Sequence, residues 1–303
     1  MELNGISIVD TFAEAFPMSG TRLLITADSL AWAQTAAQVM CGNATSVIAC
    51  DCECAVESLL DPSMTPDGRP GVSVLAFAFS RDALATAMQK RVGQCVLTTP
   101  TTGCFDGLSH GDPAKRISIG GGIRYFGDGH QFSKKLGNRR FWRIPVMDGE
   151  FLCEDTFGTI TGVAGGNLLF CGIDSARTLR ATEAAIEAMR QLRDVIMPFP
   201  GGIVRSGSKV GSRYKKLKAS TNDAYCPTLR GVVESELPEG CGAVYEIVID
   251  GLSFEAVQQA MRVGLHAATA HPGLLQVTAG NYGGKLGKHH FHLRDLLVPA
   301  PSS

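Results

Sequence analysis

Apolar runs and helical faces follow one another in the same order twice along this chain, and that order limits the folds open to it. The first set opens with Leu23-Leu24-Ile25 and breaks at Asp28-Ser29. It continues through an Ala-rich helical segment to Met40 and a second apolar run at Ser46-Val47-Ile48. After a Pro- and Gly-rich loop over residues 61–71, the stretch 72–79 has the length and bounding turn residues of a buried strand. Ser80 can cap the next helix, where Leu84, Ala87, Met88 and Val92 fall near the i, i+3, i+4, i+8 spacing of one buried face. Cys95-Val96-Leu97 then reads as extended, giving the order β-α-β-β-α-β.

The second set repeats it. Leu168-Leu169-Phe170 leads past Asp174-Ser175 into a helix to about Val195, with Thr182, Ile186 and Met189 on one side. An apolar run near 196–204, an alternating strand over 244–249, a helix aligning Phe254, Val257, Met261 and Leu265, and a strand at 274–277 complete it. The expected fold is α+β, with two ferredoxin-like (βαββαβ) lobes packed together. The lobes are expected at 1–146 and 147–303, meeting near Val146 to Asp148 after a Gly- and Arg-rich insert over 120–143.

A chain of 303 residues suits two lobes, because single cores stop growing beyond roughly 250 residues. Apolar residues at 45% and charged residues at 19% supply a well-buried core and exclude a disordered or fibrous chain. The net charge of -1 gives no general attraction to nucleic acid or anionic lipid, so neither is an expected partner. The opening Met1-Glu2-Leu3-Asn4-Gly5-Ile6 lacks the basic start and apolar core of a signal peptide, and no apolar run approaches the ~20 residues of a membrane span. A cytoplasmic protein is expected. The ten cysteines stand mostly singly in apolar stretches, as buried reduced thiols do.

Several short motifs fail on inspection. In the stretch 279–287, Ala279 stands where a phosphate loop needs its first Gly, and Leu286 stands where a Ser or Thr must hold magnesium. Ile119-Gly120-Gly121-Gly122 has Tyr125 in place of the third Gly of a dinucleotide fingerprint, so a turn is expected there. Cys50, Cys52 and Cys54 with His289, His290 and His292 could supply soft metal ligands, but neither cluster has the spacing that structural zinc favours; no metal site is expected.

Two features point to chemistry. Residues 205–218 hold six cations, Arg205, Lys209, Arg213, Lys215, Lys216 and Lys218, among small residues such as Ser206, whose backbone N–H groups can approach an anion. The run reads either as a solvated loop or as a binding site. Glu246 lies on a strand whose two faces carry Val244 and Val248 on one side and Tyr245, Ile247 and Ile249 on the other. A carboxyl among such neighbours tends to keep its proton unless a cation pairs with it. Pattern alone leaves two readings for it, a catalytic acid or a Glu salt-bridged at a lobe interface.

Longer stretches carry a resemblance. Asn4-Gly5, the segments 10–16, 44–48, 65–71, 93–102 and 162–167, Tyr245-Glu246-Ile247 and the segment 279–287 stand in the same order as in the formylmethanofuran:tetrahydromethanopterin formyltransferases, which this chain resembles from end to end. The resemblance implies acyl transfer in a ternary complex, moving a formyl group between N5 of tetrahydromethanopterin and the amine of methanofuran. These carriers would be substrates, with no permanently bound cofactor and no covalent enzyme intermediate. It implies a homo-oligomer, a tetramer in archaeal members. The near-neutral charge is closer to methylotrophic bacterial members, where the resemblance implies hydrolase subunits as partners in a formyltransferase/hydrolase complex that oxidises formaldehyde to formate. It assigns Glu246 to the site of formyl transfer, its neutral form stabilising the tetrahedral intermediate. The carriers are polyanions, which favours the binding reading of Arg205, Ser206 and Lys209. Gln94, Thr98, Thr99, Asn167, Asn281 and Lys285, polar residues of the matched stretches, are the further candidates for orienting a flat heterocycle. A non-catalytic carrier-binding subunit is the alternative outside enzymes, and a metal-assisted hydrolase built on the His289 cluster the alternative among them.

Overall fold

The computed structural model describes residues 1–108, 112 and 114–298. By contact the chain divides into two compact units, Met18–Gly162 and the segment Met1–Pro17 together with Val163–Ser303. A two-residue strand, Glu2–Leu3, pairs with strand β1, Ile6–Ile8, which is followed by a long strand β2, Phe12–Thr26, passing from one unit to the other after Pro17.

In the unit Met18–Gly162, β2 is followed by helix α1 (Leu30–Cys41), strands β3 (Glu53–Leu60) and β4 (Gly71–Ala78), helix α2 (Arg81–Arg91) and strand β5 (Gly103–Asp106). The four strands pair antiparallel in the order β3-β4-β2-β5, the ferredoxin-like arrangement. A meander of β6 (Phe132–Leu136), β7 (Arg139–Val146) and β8 (Gly149–Glu154) extends the sheet, with β8 parallel to β5. Ser29 and Ser80 cap the two helices by accepting from the backbone N–H groups of Trp32 and Ala83. Leu84, Ala87 and Met88 are buried, as their spacing requires.

Two expected strands fall elsewhere. Residues 46–50 form a turn, closed by the Cys50 N–H donating to the Ser46 carbonyl, and β3 starts only at Glu53. Its pattern was hidden by the buried charges of Glu53 and Glu57 and by a register shift between Val56 and Ser58. Cys95 and Val96 are not extended but wound into a π-turn, Val92–Val96, in which the Leu97 N–H reaches the Val92 carbonyl. Val92 and Val96 are both buried one turn apart, and so short an apolar run fits either period. The Gly120 region is a single helical turn, Gly120–Ile123, pressed so close to β8 that a Cβ on Gly120 would stand 2.2 Å from the Glu154 carbonyl oxygen.

The other unit repeats the plan with β9 (Ile160–Gly172), α3 (Ser175–Met189), β10 (Val195–Ile196), a hairpin of β11 (Lys209–Val210) and β12 (Ala219–Ser220), β13 (Ala243–Gly251), α4 (Phe254–Thr269), β14 (Leu274–Thr278) and β15 (His289–His292). Within it the order β10-β13-β9-β14 is again ferredoxin-like and antiparallel. Helix α3 ends at Met189, short of the expected Val195; the chain then turns through residues 190–194, Asp194 with a left-handed φ of 70°, into β10. Thr182, Ile186, Met189, Val257, Met261 and Leu265 are buried under the sheet. Ser253 accepts from the Ala256 N–H to cap α4, and Ser253→Ala is expected to cost about 1 kcal/mol in a urea melt.

The compact units differ from the linear division at residue 146 for a topological reason. Strand β1 pairs parallel with β14, which ties the N-terminus to the C-terminal half, while the β7–β8 hairpin keeps 149–154 with the first half. Among the described residues no helix is long and apolar enough to cross a membrane.

Candidate active site

Glu246 sits at the centre of the second unit's sheet. Its backbone is paired with Leu169 of β9 on one side and exchanges two hydrogen bonds with Val204 on the other, 2.7 and 3.1 Å. Ile247 and Ile249 enter the core with Phe170, and the side chain of Glu246 points to the opposite face, where it is only 4% exposed. The Ser208 hydroxyl, just before β11, donates to Oε1 at 2.6 Å, while the buried Oε2 has no protein partner. Burial pushes the carboxyl up to about 7, against the opposing pull of the Ser208 bond. With Oε1 already accepting from Ser208, the proton of the neutral form belongs on Oε2, which becomes a hydrogen-bond donor.

The Gly-rich segment 279–287 is an anion-binding loop whose anion comes from the chain itself. Glu14 of β2, 1% exposed, accepts at Oε2 from the backbone N–H groups of Tyr282 (2.6 Å) and Gly284 (2.9 Å), and at Oε1 from those of Leu286 (2.6 Å) and Gly287. Burial alone would raise this carboxyl, but the four donors outweigh it and hold it below its ordinary 4.5. Gly283 and Gly284, at φ 69° and 71°, supply the turns. The phenol of Tyr282 is pushed up by burial against the opposing pull of the neighbouring Val210 backbone, and lies within electrostatic reach of both Glu246 and Glu14. The loop and the β11–β12 hairpin therefore meet beside Glu246.

The other candidate residues divide. Asn167 and Asn281 use their amides to build the loop. Asn167 Oδ1 accepts from the Gly280 N–H at 2.6 Å, and Asn281 Nδ2 donates to Thr11 Oγ1 and the Phe12 carbonyl, both at 3.1 Å. Lys285 stands exposed on the loop. Arg205 and Ser206 are exposed, the Ser206 hydroxyl bonding to the Gly207 carbonyl. Lys209 is ion-paired to Asp223 at 2.6 Å, whereas Arg213, Lys215, Lys216 and Lys218 face solvent. Gln94, Thr98 and Thr99 lie in the other unit. Gln94 and Thr98 are exposed on and after the π-turn, and both Thr hydroxyls donate to carbonyls four residues back. Thr98 and Thr99 line a groove with Pro100, Phe126 and Met147.

Among the described residues no three metal-binding side chains converge. His290 and His292 lie against Phe12, and His289 against Phe254. All ten cysteines are free and none is exposed, with Cys41 and Cys54 in contact at 3.4 Å. Sequence reasoning missed Glu14, Ser208 and Tyr282. The signal for Glu14 was a lone carboxylate between two alanines in an apolar strand, together with a Gly-rich loop left without a phosphate; nothing in the sequence joined the two.

Comparison with known proteins gives the family. Residues 1–146 match the family description "Formylmethanofuran-tetrahydromethanopterin formyltransferase", and residues 149–296 match its proximal lobe. The chain is 56% identical over 301 residues to the formylmethanofuran–tetrahydromethanopterin formyltransferase of Methylococcus capsulatus, covering 98% of this chain and 100% of that one. Among solved structures, it is similar to a chain of the formyltransferase/hydrolase complex from Methylorubrum extorquens in complex with methylofuran. That match has a TM-score of 0.95 and 55% identity, over 99% of each chain. The formyltransferase from Methanosarcina barkeri gives a TM-score of 0.91 at 46% identity, over 98% of this chain and 100% of that one.

Proposed function

The chain belongs to the formylmethanofuran–tetrahydromethanopterin formyltransferase family, and from that premise we propose that it moves a formyl group between N5 of tetrahydromethanopterin and the amine of methanofuran, with Glu246 as the acid at the transfer centre. The observation that carries the assignment is a carboxyl buried in the second unit's sheet, raised to about 7, with Oε2 free of protein partners. The methanofuran amine attacks the formyl carbon of the other carrier, and a C–N bond forms as the carbonyl oxygen gains negative charge. Neutral Glu246 donates from Oε2 to that oxygen, stabilising the tetrahedral intermediate. The intermediate collapses by breaking the bond to N5, which receives the proton lost by the attacking amine. The reverse reaction uses the same groups.

The five exposed cations of 205–218, with Lys285, fit carriers that end in carboxylates or phosphate, and Ser206 offers a hydroxyl beside them. Neutralising two of them, as in the pair Arg205→Gln and Lys285→Gln, is expected to raise KM several-fold while kcat stays within about twofold, since such contacts bind ground and transition state alike. A fall in kcat at unchanged KM would remove them from this role. Gln94, Thr98, Thr99, Asn167, Lys209 and Asn281 belong to the proposal as well, Asn167 and Asn281 through the loop they build.

The two-lobe division at 146/147 is supported by the extents of the two family matches. A homo-oligomer, expected to be a tetramer, working with hydrolase subunits in the cytoplasm completes the reading; the relative in a formyltransferase/hydrolase complex supports the partners, and the free cysteines support a reducing compartment. The test is a formyl-transfer assay on the purified chain, with formyl-tetrahydromethanopterin and methanofuran, before and after chelator treatment. Chelator-resistant formylmethanofuran production is the expected result. Carrier binding without transfer would favour a non-catalytic carrier-binding subunit, and chelator-sensitive release of formate a metal-assisted hydrolase.

A further inference from the structure

We propose that Glu14 is a positioning residue for the transfer centre, setting the Ser208–Glu246 hydrogen bond through the Gly-rich loop and Tyr282; the inference deepens the formyl-transfer reading and rests on it. The path runs through neighbouring groups of one compact unit. The Glu14 carboxylate gathers the N–H groups of Tyr282, Gly284, Leu286 and Gly287, and its own N–H donates to the Gly280 carbonyl at 3.2 Å. At Gly287 the fit is tight, since a Cβ there would stand 2.5 Å from the Ala15 carbonyl oxygen and 2.7 Å from Glu14 Cγ. The loop so fixed brings the Tyr282 phenol beside the Val210 backbone, which acts on it electrostatically. Val210 ends the two-residue strand β11, Ser208 immediately precedes that strand, and Ser208 donates to Glu246 Oε1.

A carboxylate is the group this cage requires. Four converging N–H donors need acceptors on both oxygens, and no water or hydroxyl offers two acceptor atoms in one plane. Glu14→Gln keeps the shape but replaces one acceptor by an NH₂ group facing two N–H donors, so two backbone groups lose their partner in a buried place. The loop must then open, Tyr282 leaves Val210, and the Ser208 hydroxyl moves off Glu246. A shift of about 1 Å in a reacting group can cost about 10²-fold in rate, without the carriers losing their contacts.

The experiment titrates the Glu246 carboxyl by infrared difference spectroscopy on the full chain, using Glu246→Gln to identify the band, alongside steady-state kinetics. In Ser208→Ala the ionisation of Glu246 moves upward, because the lost hydrogen bond favoured the charged form. Glu14→Gln is expected to give the same upward move and a fall in kcat of about 10²-fold with KM little changed, and to add nothing in a Ser208→Ala background. Tyr282→Phe, which spares the backbone cage, is expected to move Glu246 the same way and decides the matter if Glu14→Gln does not fold. An unmoved Glu246 ionisation in the folded variants overturns the proposal, whatever happens to the rate. The titration needs no turnover, so a chain that failed to transfer formyl would still report on this coupling.

Discussion

Glu246→Ala is expected to lower kcat for formyl transfer by about 10²–10³, the usual loss when one preorganised donor to a developing oxyanion is removed. Glu246→Gln, which keeps an N–H donor in the same place, is expected to retain part of that loss. The reasoning starts from the strand: Oε1 is engaged by Ser208, so the donor function rests on Oε2. An amide with its oxygen toward Ser208 presents its NH₂ where the acid presented its proton. In wild type, the neutral form is the active one, and activity should fall as pH rises through about 7. The Gln variant has no such proton and its profile should be flat over that range. Equal losses in the two variants, or a Gln variant with the wild-type pH limb, would remove Glu246 from the donor role.

The same burial makes Glu246 a source of instability at alkaline pH, and its replacement by Gln is expected to stabilise the chain there by about 3 kcal/mol. The carboxyl is raised from its ordinary 4.5 to about 7 in the folded state. Between those values the native chain holds a proton that the unfolded chain has released, so each increase in pH favours unfolding. The contribution is fully present below 4.5 and is lost as pH rises through 7. Urea melts of wild type and Glu246→Gln at pH 5 and pH 8 test the sign. The difference in stability should widen in favour of the Gln variant at pH 8, and a constant difference would show that Glu246 ionises as easily folded as unfolded. A variant both slower and more stable is what a functional site held in an unfavourable environment should yield.

Much of the scaffold was legible in the residues. The helical faces at Leu84, Ala87 and Met88 and at Val257, Met261 and Leu265 are where their spacing put them, and the two βαββαβ runs close in the same strand order in both units. Short elements were harder to read. Cys95 and Val96 joined a π-turn, and β3 hid behind Glu53 and Glu57, which are buried through partners elsewhere in the chain, such as Arg22 and Ser73 for Glu57. Local pattern carries no information about such partners.

The α+β class, the repeated order of elements, the family and the apolar setting of Glu246 can be read from the residues alone, because periodicity, long ordered stretches and a polar atom in an apolar strand are all local properties of the chain. What the Gly-rich loop holds and what surrounds Glu246 follow from the folded chain. Glu14 and Gly287 are 273 residues apart, and Ser208 and Glu246 are 38 apart. A buried carboxylate takes whichever donors the fold brings to it, and that convergence exists only once the strands between them have paired.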